Sequence, residues 1–426
     1  MIKKSTLTKL SVIFPLYLFT SLSATKAQDS TAIQIKDSLS QRVENVENEL
    51  KSQKKFKVSG YIQAQFQYGE KDASLKVGSS NENKENGFNR IGIRRGRIKF
   101  SYEEKIAAAV IQLDITEKGV QFKDAYVNLK DPWINTNAIR AGIFDRPFGY
   151  EITYSSSRRE SPERSTIFQT LFPQERDLGA MLTLQPSKKS ALHFIKLEAG
   201  IFAGNGIKVD TDNRKDFIGH ILLDKEIGKY FQIGAGASYY YGGVYQGTAN
   251  VYSMEGKQFV LNSDPSNLGK FAKREYFGFE ARFGVKTIAG KTQLSGEYLF
   301  GQQPGTESST TSPNGVLPDY DTYIRRFNGG YITLVQDIGP LPIQAIIKYD
   351  WYDPNTAIAG NEVGINGTGK ADALKNTLGF GALWNATKAI RLTAYYEINK
   401  FEKTDHIASL SQLKANAFTL RLQYKF

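Results

Sequence analysis

Arg95, Arg97 and Lys99 alternate along Gly92-Ile93-Arg94-Arg95-Gly96-Arg97-Ile98-Lys99-Phe100, so an extended backbone puts all three on one face, opposite Ile98, Phe100 and Tyr102. Aligned cations of this kind can replace part of an anion's hydration shell. The same phasing adds Lys196, Arg282, Arg140, Lys348, Arg391 and Arg421 to that column. Asp114, Asp124, Glu198, Glu280, Glu297, Asp350 and Glu397 fall on the same faces. The column therefore reads either as a wall that guides anions or as one whose cations are paired off. A second cluster lies in the long segment 145–176, which opens on Pro147-Phe148-Gly149 and carries Arg158, Arg159, Arg164 and Arg176 beside Glu160, Glu163, Glu175 and Asp177. The planar fork of arginine suits oxyanions. The competing reading is a loop held in shape by its own ion pairs.

Catalytic readings find little support. Gly364-Ile365-Asn366-Gly367-Thr368-Gly369-Lys370 matches the phosphate-cradling loop up to its lysine, but Ala371 stands where a Ser or Thr would bind magnesium. No strand-to-helix setting surrounds it. Cysteine is absent, and His193, His220 and His406 are too scattered for metal-ligand spacing. The expectation is a non-enzyme without metal or cofactor.

The elements that would position these residues follow from alternation. Residues 1–27 read as a signal peptide: Lys3 and Lys4, an apolar stretch interrupted by Pro15, then small residues to Ala27. Its removal takes Lys3, Lys4, Lys9 and Lys26 and lowers the formal charge from +12 to +8, still favouring anionic partners. Residues 28–55 predict a helical or coiled-coil segment, with Ile35, Leu39, Val43, Val46 and Leu50 as a seam. From 56 to 426 short two-faced segments follow, as in Phe418, Leu420, Leu422, Tyr424 and Phe426 against Thr419, Arg421, Gln423 and Lys425. About sixteen strands are expected, starting near 57, 90, 106, 120, 138, 177, 193, 216, 230, 274, 292, 326, 342, 374, 389 and 414. Long connections (69–89, 145–176, 242–273, 301–325, 353–373) alternate with short ones, the short 116–119 excepted. A sandwich has no reason to sort its loops by parity. The fold class is all-β, a transmembrane antiparallel barrel, and the closing aromatic residue is similar to the terminal signature of outer-membrane barrels.

On these residues a resemblance can be stated. Arg94-Arg95-Gly96-Arg97, Lys123-Asp124-Ala125-Tyr126, Pro147-Phe148-Gly149, Glu163-Arg164-Ser165, Arg176-Asp177-Leu178-Gly179 and Lys348-Tyr349-Asp350 resemble the phosphate-selective porin O and P family, over roughly 56–426. The resemblance implies a trimeric porin of the bacterial outer membrane whose arginine-rich and lysine-rich elements guide phosphate or related anions. No lysine cluster is legible in the sequence. Expected partners are small anionic or hydrophilic solutes, membrane lipid and two further copies of the chain, with no nucleic acid. A receptor or adhesin acting through long outer loops is the alternative.

Overall fold

Segments whose two faces differ in polarity can bury one and expose the other only as strands, and every such segment forms one. A computed structural model of the chain describes residues 41–47, 55–313 and 315–426. The chain divides between Lys55 and Phe56. Residues 41–47 are helical and exposed, Val43 and Val46 included. Ile35, Leu39 and Leu50 of the expected seam, and the signal peptide, lie outside the described residues.

The second unit begins with β1 (Phe56–Gly69), β2 (Phe88–Glu104), β3 (Ala107–Thr116), β4 (Gly119–Lys130) and β5 (Ala138–Asp145). It continues through β6 (Arg176–Leu184), β7 (Ile195–Phe202), β8 (Asp216–Ile227) and β9 (Phe231–Tyr245). A hairpin of β10 (Asn250–Glu255) and β11 (Gln258–Ser263) follows. Then come β12 (Phe271–Thr287), β13 (Gly290–Gly305), β14 (Thr322–Asp337), β15 (Ile343–Asp353), β16 (Lys375–Trp384), β17 (Ile390–Phe401) and β18 (Ala417–Lys425). All eighteen belong to one sheet. Setting the hairpin aside leaves sixteen strands, each antiparallel to the next. The sheet closes where β1 pairs with both β2 and β18, from Tyr61 opposite Lys425 to Gly69 opposite Ala417. Phe426 completes this seam: its amide and carbonyl bond Gly60 at 3.0 Å each, and any Cβ at Gly60 would sit 2.6 Å from the Phe426 ring.

Burial is inverted relative to a water-soluble sheet. Along β18, Thr419, Arg421 and Gln423 are buried, whereas Leu422 is 51% and Tyr424 52% exposed. An apolar outer band suits lipid, and a polar inner face suits an aqueous lumen. Rings gather outward at two levels: Tyr239, Tyr241, Phe277, Phe300 and Trp351 toward one rim, Phe56, Phe100, Phe231, Phe283 and Tyr424 toward the other. Such belts mark the two membrane interfaces. Among the described residues no helix could cross a membrane, so crossing falls to the strands.

Connections sort by rim as expected, and 203–215 and 402–416 join the long set. The turn at 117–118 remains the short exception. Two expectations need correction. β7 starts at Ile195, so His193 lies in the preceding turn, where its backbone amide bonds the Ser190 carbonyl. The stretch 242–273 is not plain loop: Gly256, at φ +61°, turns the β10–β11 hairpin, whose first strand runs parallel to β14.

Candidate functional site

Between β5 and β6, residues 146–175 turn inward and pack inside the barrel. They carry two short helices, α1 (Gly149–Thr153) and α2 (Thr166–Leu171). Phe148, Ile152, Ile167, Phe168, Leu171 and Phe172 are at most 1% exposed. They pack on Phe202, Ile218, Tyr240, Tyr276, Leu299, Phe327, Tyr331 and Tyr352, the inward side chains of β7–β9 and β12–β15. Burial of each large apolar side chain stabilises the docked loop by about 1.5–3 kcal/mol. One half of the lumen is therefore a dry core, and the open half lies against β16–β18 and β1–β4.

Polar anchors fix the loop's register on that core. Glu297 of β13 accepts the Tyr150 and Glu151 amides at 2.9 and 2.5 Å and the Tyr331 hydroxyl at 2.7 Å. Glu151 in turn takes the Lys348 ammonium and both the amide and hydroxyl of Ser165, and Asp350 accepts the Thr166 amide at 3.1 Å. Pro147-Phe148-Gly149 has a specific reason here. Gly149 sits at φ +64°, where a Cβ would meet Glu297 Oε2 at 2.0 Å, and Gly278 of β12 leaves the space that the Phe148 ring fills. Gly149→Ala is expected to lose about 1–2 kcal/mol of docking energy from the left-handed backbone alone, and more from the clash. Faster tryptic cleavage at Arg158 and Arg159 with an intact barrel would report it.

At the far end of the loop Glu163 meets three guanidinium groups. Arg94 grips it bidentately at 2.8 and 2.7 Å, while Arg95 and Arg421 each reach it at 2.9 Å. Alternation alone would turn Arg94 outward. A β-bulge opposite Gln63/Ala64 adds it to the inner face, and a second bulge opposite Gln112/Leu113 turns both Lys123 and Asp124 inward.

The other predicted cations divide by what holds them. Arg97 pairs with Asp114 at 3.3 Å and donates to Ser156. Arg164 bonds Glu175 and the carbonyls of Glu151 and Ile152; Arg176 bonds Asp124, Asp145 and Glu175. Arg159 bonds the carbonyls of Ser161 and Pro162. Arg391 reaches the Arg158 carbonyl at 3.0 Å and so braces the loop, while the Arg158 side chain is exposed. Lys196 pairs with Glu198, and Arg282 with Asp224 beneath Tyr150. Arg140 lies over Tyr126 and Phe144 and donates to the Asn128 side chain at 3.3 Å.

Three cavities of about 370, 340 and 310 Å³ follow one another along the open half. The first, by Asp72, Lys76 and Lys375, shares Lys76, Glu163 and Arg164 with the second; the second shares Arg97 and Arg164 with the third, which ends by Ser59 and Lys425. Counting each residue once, twelve Lys and Arg face seven Asp and Glu. The arginines are mostly committed to carboxylates. Among the described lysines lining these cavities, Lys76, Lys99, Lys118, Lys123, Lys375 and Lys425 have no carboxylate partner. Sequence reading missed Lys76, Lys118 and Lys123 as a group because they come from a loop, a turn and a bulge.

Electrostatics hold the loop over a wide pH range. Burial pushes the Glu163 carboxyl up, but Arg94, Arg95 and Arg421 outweigh it and hold the group well below its ordinary range. Burial is likewise overcome at Glu175 by Arg164, Arg176 and Lys123. Groups depressed in this way contribute docking energy fully above the ordinary carboxylate pKa and lose it as pH falls below that value. Conductance should stay constant from neutral pH to about 5 and change only below about 4; a midpoint near neutrality in bilayer recordings would contradict this.

His220 lies between Glu198 and Glu280, 3.7 and 3.5 Å away, and His406 stands in the 402–416 loop. No group of three metal-ligating side chains occurs among the described residues. The 364–370 string is a loop between short 3-10 turns, without the strand-to-helix setting of a nucleotide site.

No protein-family model matches the chain, and comparison with curated proteins finds no match. Solved structures do match. The anion-selective porin from Comamonas acidovorans superposes with TM-score 0.54 at 12% identity, over 87% of this chain and 99% of that one. The outer-membrane channel DcaP of Acinetobacter baumannii gives 0.52 at 12%, over 87% and 97%. OmpT of Vibrio cholerae, in-vitro folded in a trimer form, gives 0.50 at 10%, over 87% and 99%. At such identities the likeness concerns fold alone, and the fold is that of outer-membrane porins. Within that class, this chain is a sixteen-stranded barrel with a loop docked inside its lumen.

Proposed function

We propose that this protein is a passive diffusion channel of the bacterial outer membrane for small hydrophilic solutes, biased toward anions such as phosphate. The observation that carries the reading is the run of cavities beside the docked loop, where lysines without carboxylate partners face the open space. A mobile ammonium can exchange partners with a passing anion, whereas an arginine already bidentate to a carboxylate cannot without breaking that pair.

Membership of the phosphate-selective porin O and P family is part of the proposal. Its support is spatial: Arg94, Arg95, Phe148, Gly149, Glu163, Ser165, Arg176, Lys348 and Asp350, drawn from motifs far apart in sequence, converge on docking one loop. A homotrimer fits the trimeric form of one structural neighbour. Residues 28–55 would then act as a periplasmic helical segment.

The test is reconstitution of the mature protein in planar bilayers under a potassium chloride gradient, with phosphate added afterward. An anion-biased conductance that phosphate lowers supports the reading. Non-selective channels would remove the anion bias, and absence of conductance would favour a receptor or adhesin.

A further inference from the structure

The outer surface carries a groove that transport does not use. It lies between β12, β13 and β14 at the long-loop rim, has a volume of about 410 Å³, and is floored by Phe277, Tyr298 and Phe300. Phe277 and Phe300 stack at 5.5 Å within the aromatic belt, which places the groove at the level of lipid head groups. Immediately above the floor the outward position on β14 is Arg326, opposite Gln302, and the next is Asn328, opposite Phe300. Arg326 is exposed and its guanidinium has no partner among the described residues, while its backbone carbonyl accepts from Thr356. Lys273 stands beside it, paired to Glu275 at 2.6 Å, which leaves the groove one uncommitted positive charge.

At head-group level an arginine costs little by itself, and an anionic head group is the partner that this guanidinium lacks. An amide two positions along, a lysine at the side and a ring shelf beneath complete a receptor for an amphiphile. We propose that this groove binds a phosphate-bearing membrane lipid, its phosphate taken bidentately by Arg326 with Asn328 and Lys273 at its edges, and its acyl chains lying on Phe277, Tyr298 and Phe300. Free phosphate would lose the ring contacts that hold the tail.

The test uses the full-length protein in detergent and native mass spectrometry with added diphosphorylated lipid A, the same lipid stripped of phosphate, and inorganic phosphate as competitor. The wild type should retain the diphosphorylated lipid. The Arg326→Gln/Lys273→Gln variant should retain it about tenfold less while keeping the heat-dependent gel migration of the folded barrel. Excess inorganic phosphate should leave the lipid adduct in place. Equal retention by the variant, equal binding of the stripped lipid, or displacement by phosphate alone would overturn the proposal.

Discussion

Replacing Glu163 with alanine releases the far end of the docked loop: conductance rises, selectivity moves further toward anions, and trypsin gains access to Arg158 and Arg159. Three guanidinium groups lose one shared carboxylate, and removing one member of a buried ion pair costs about 3–5 kcal/mol because its partners stay buried without compensation. Arg94 on its bulge, Arg95 and Arg421 would then face the passage unpaired. Glu163→Gln keeps the shape and loses only the charge, so it separates electrostatic docking from packing. Bilayer recordings and timed proteolysis that match the wild type for both variants would show that the apolar core alone holds the loop.

The second large effect is expected from the triple change of Lys76, Lys118 and Lys123 to glutamine. None of these lysines forms an ion pair with the loop, and when Lys123 is lost Arg164 and Arg176 still bond Glu175, so docking should survive and the readout is selectivity. At about 6 Å in a water-like medium each charge stabilises a passing anion by about 0.7 kcal/mol, and salt near 0.1 M roughly halves that. Together they should change the local partition of anions about five- to tenfold, seen as a shift of reversal potential toward cations. By contrast, Arg95→Gln/Arg97→Gln changes loop anchoring and charge at once, because Arg95 holds Glu163 and Arg97 donates to Ser156 of the loop.

The barrel was legible because lipid and water impose a period of two on every strand. All sixteen starts fall within four residues of expectation, and the last strand, whose alternation was the clearest in the sequence, closes the barrel against the first. The site was less legible, for physical reasons that particular residues show. A bulge adds one residue and reverses the phase, so neither Arg94 nor Lys123 could be placed by alternation. Inward Tyr240, Tyr276, Phe327, Tyr331 and Tyr352 looked like ordinary strand aromatics, yet together they form the surface on which the loop docks. Strands apolar on both faces are the signal that could have shown it, since an inward ring in a barrel needs something dry to cover it. The question left open between anion-guiding cations and paired ones divides largely by residue type: Arg94, Arg95, Arg97, Arg164, Arg176 and Arg421 are paired with carboxylates, whereas of the lysines near the loop Lys348 is paired and those lining the cavities are not.

The central claim is that solutes pass along the β1–β4 wall beside the docked loop. The chain contains no cysteine, so single cysteines at Lys76, at Lys99 and, across the loop, at Ser295 can each be treated with a negatively charged thiol reagent during single-channel recording. Current and anion preference should fall on modification at positions 76 and 99 and stay unchanged at 295. Block from position 295, with 76 and 99 silent, would place the passage on the other side of the loop and contradict the account.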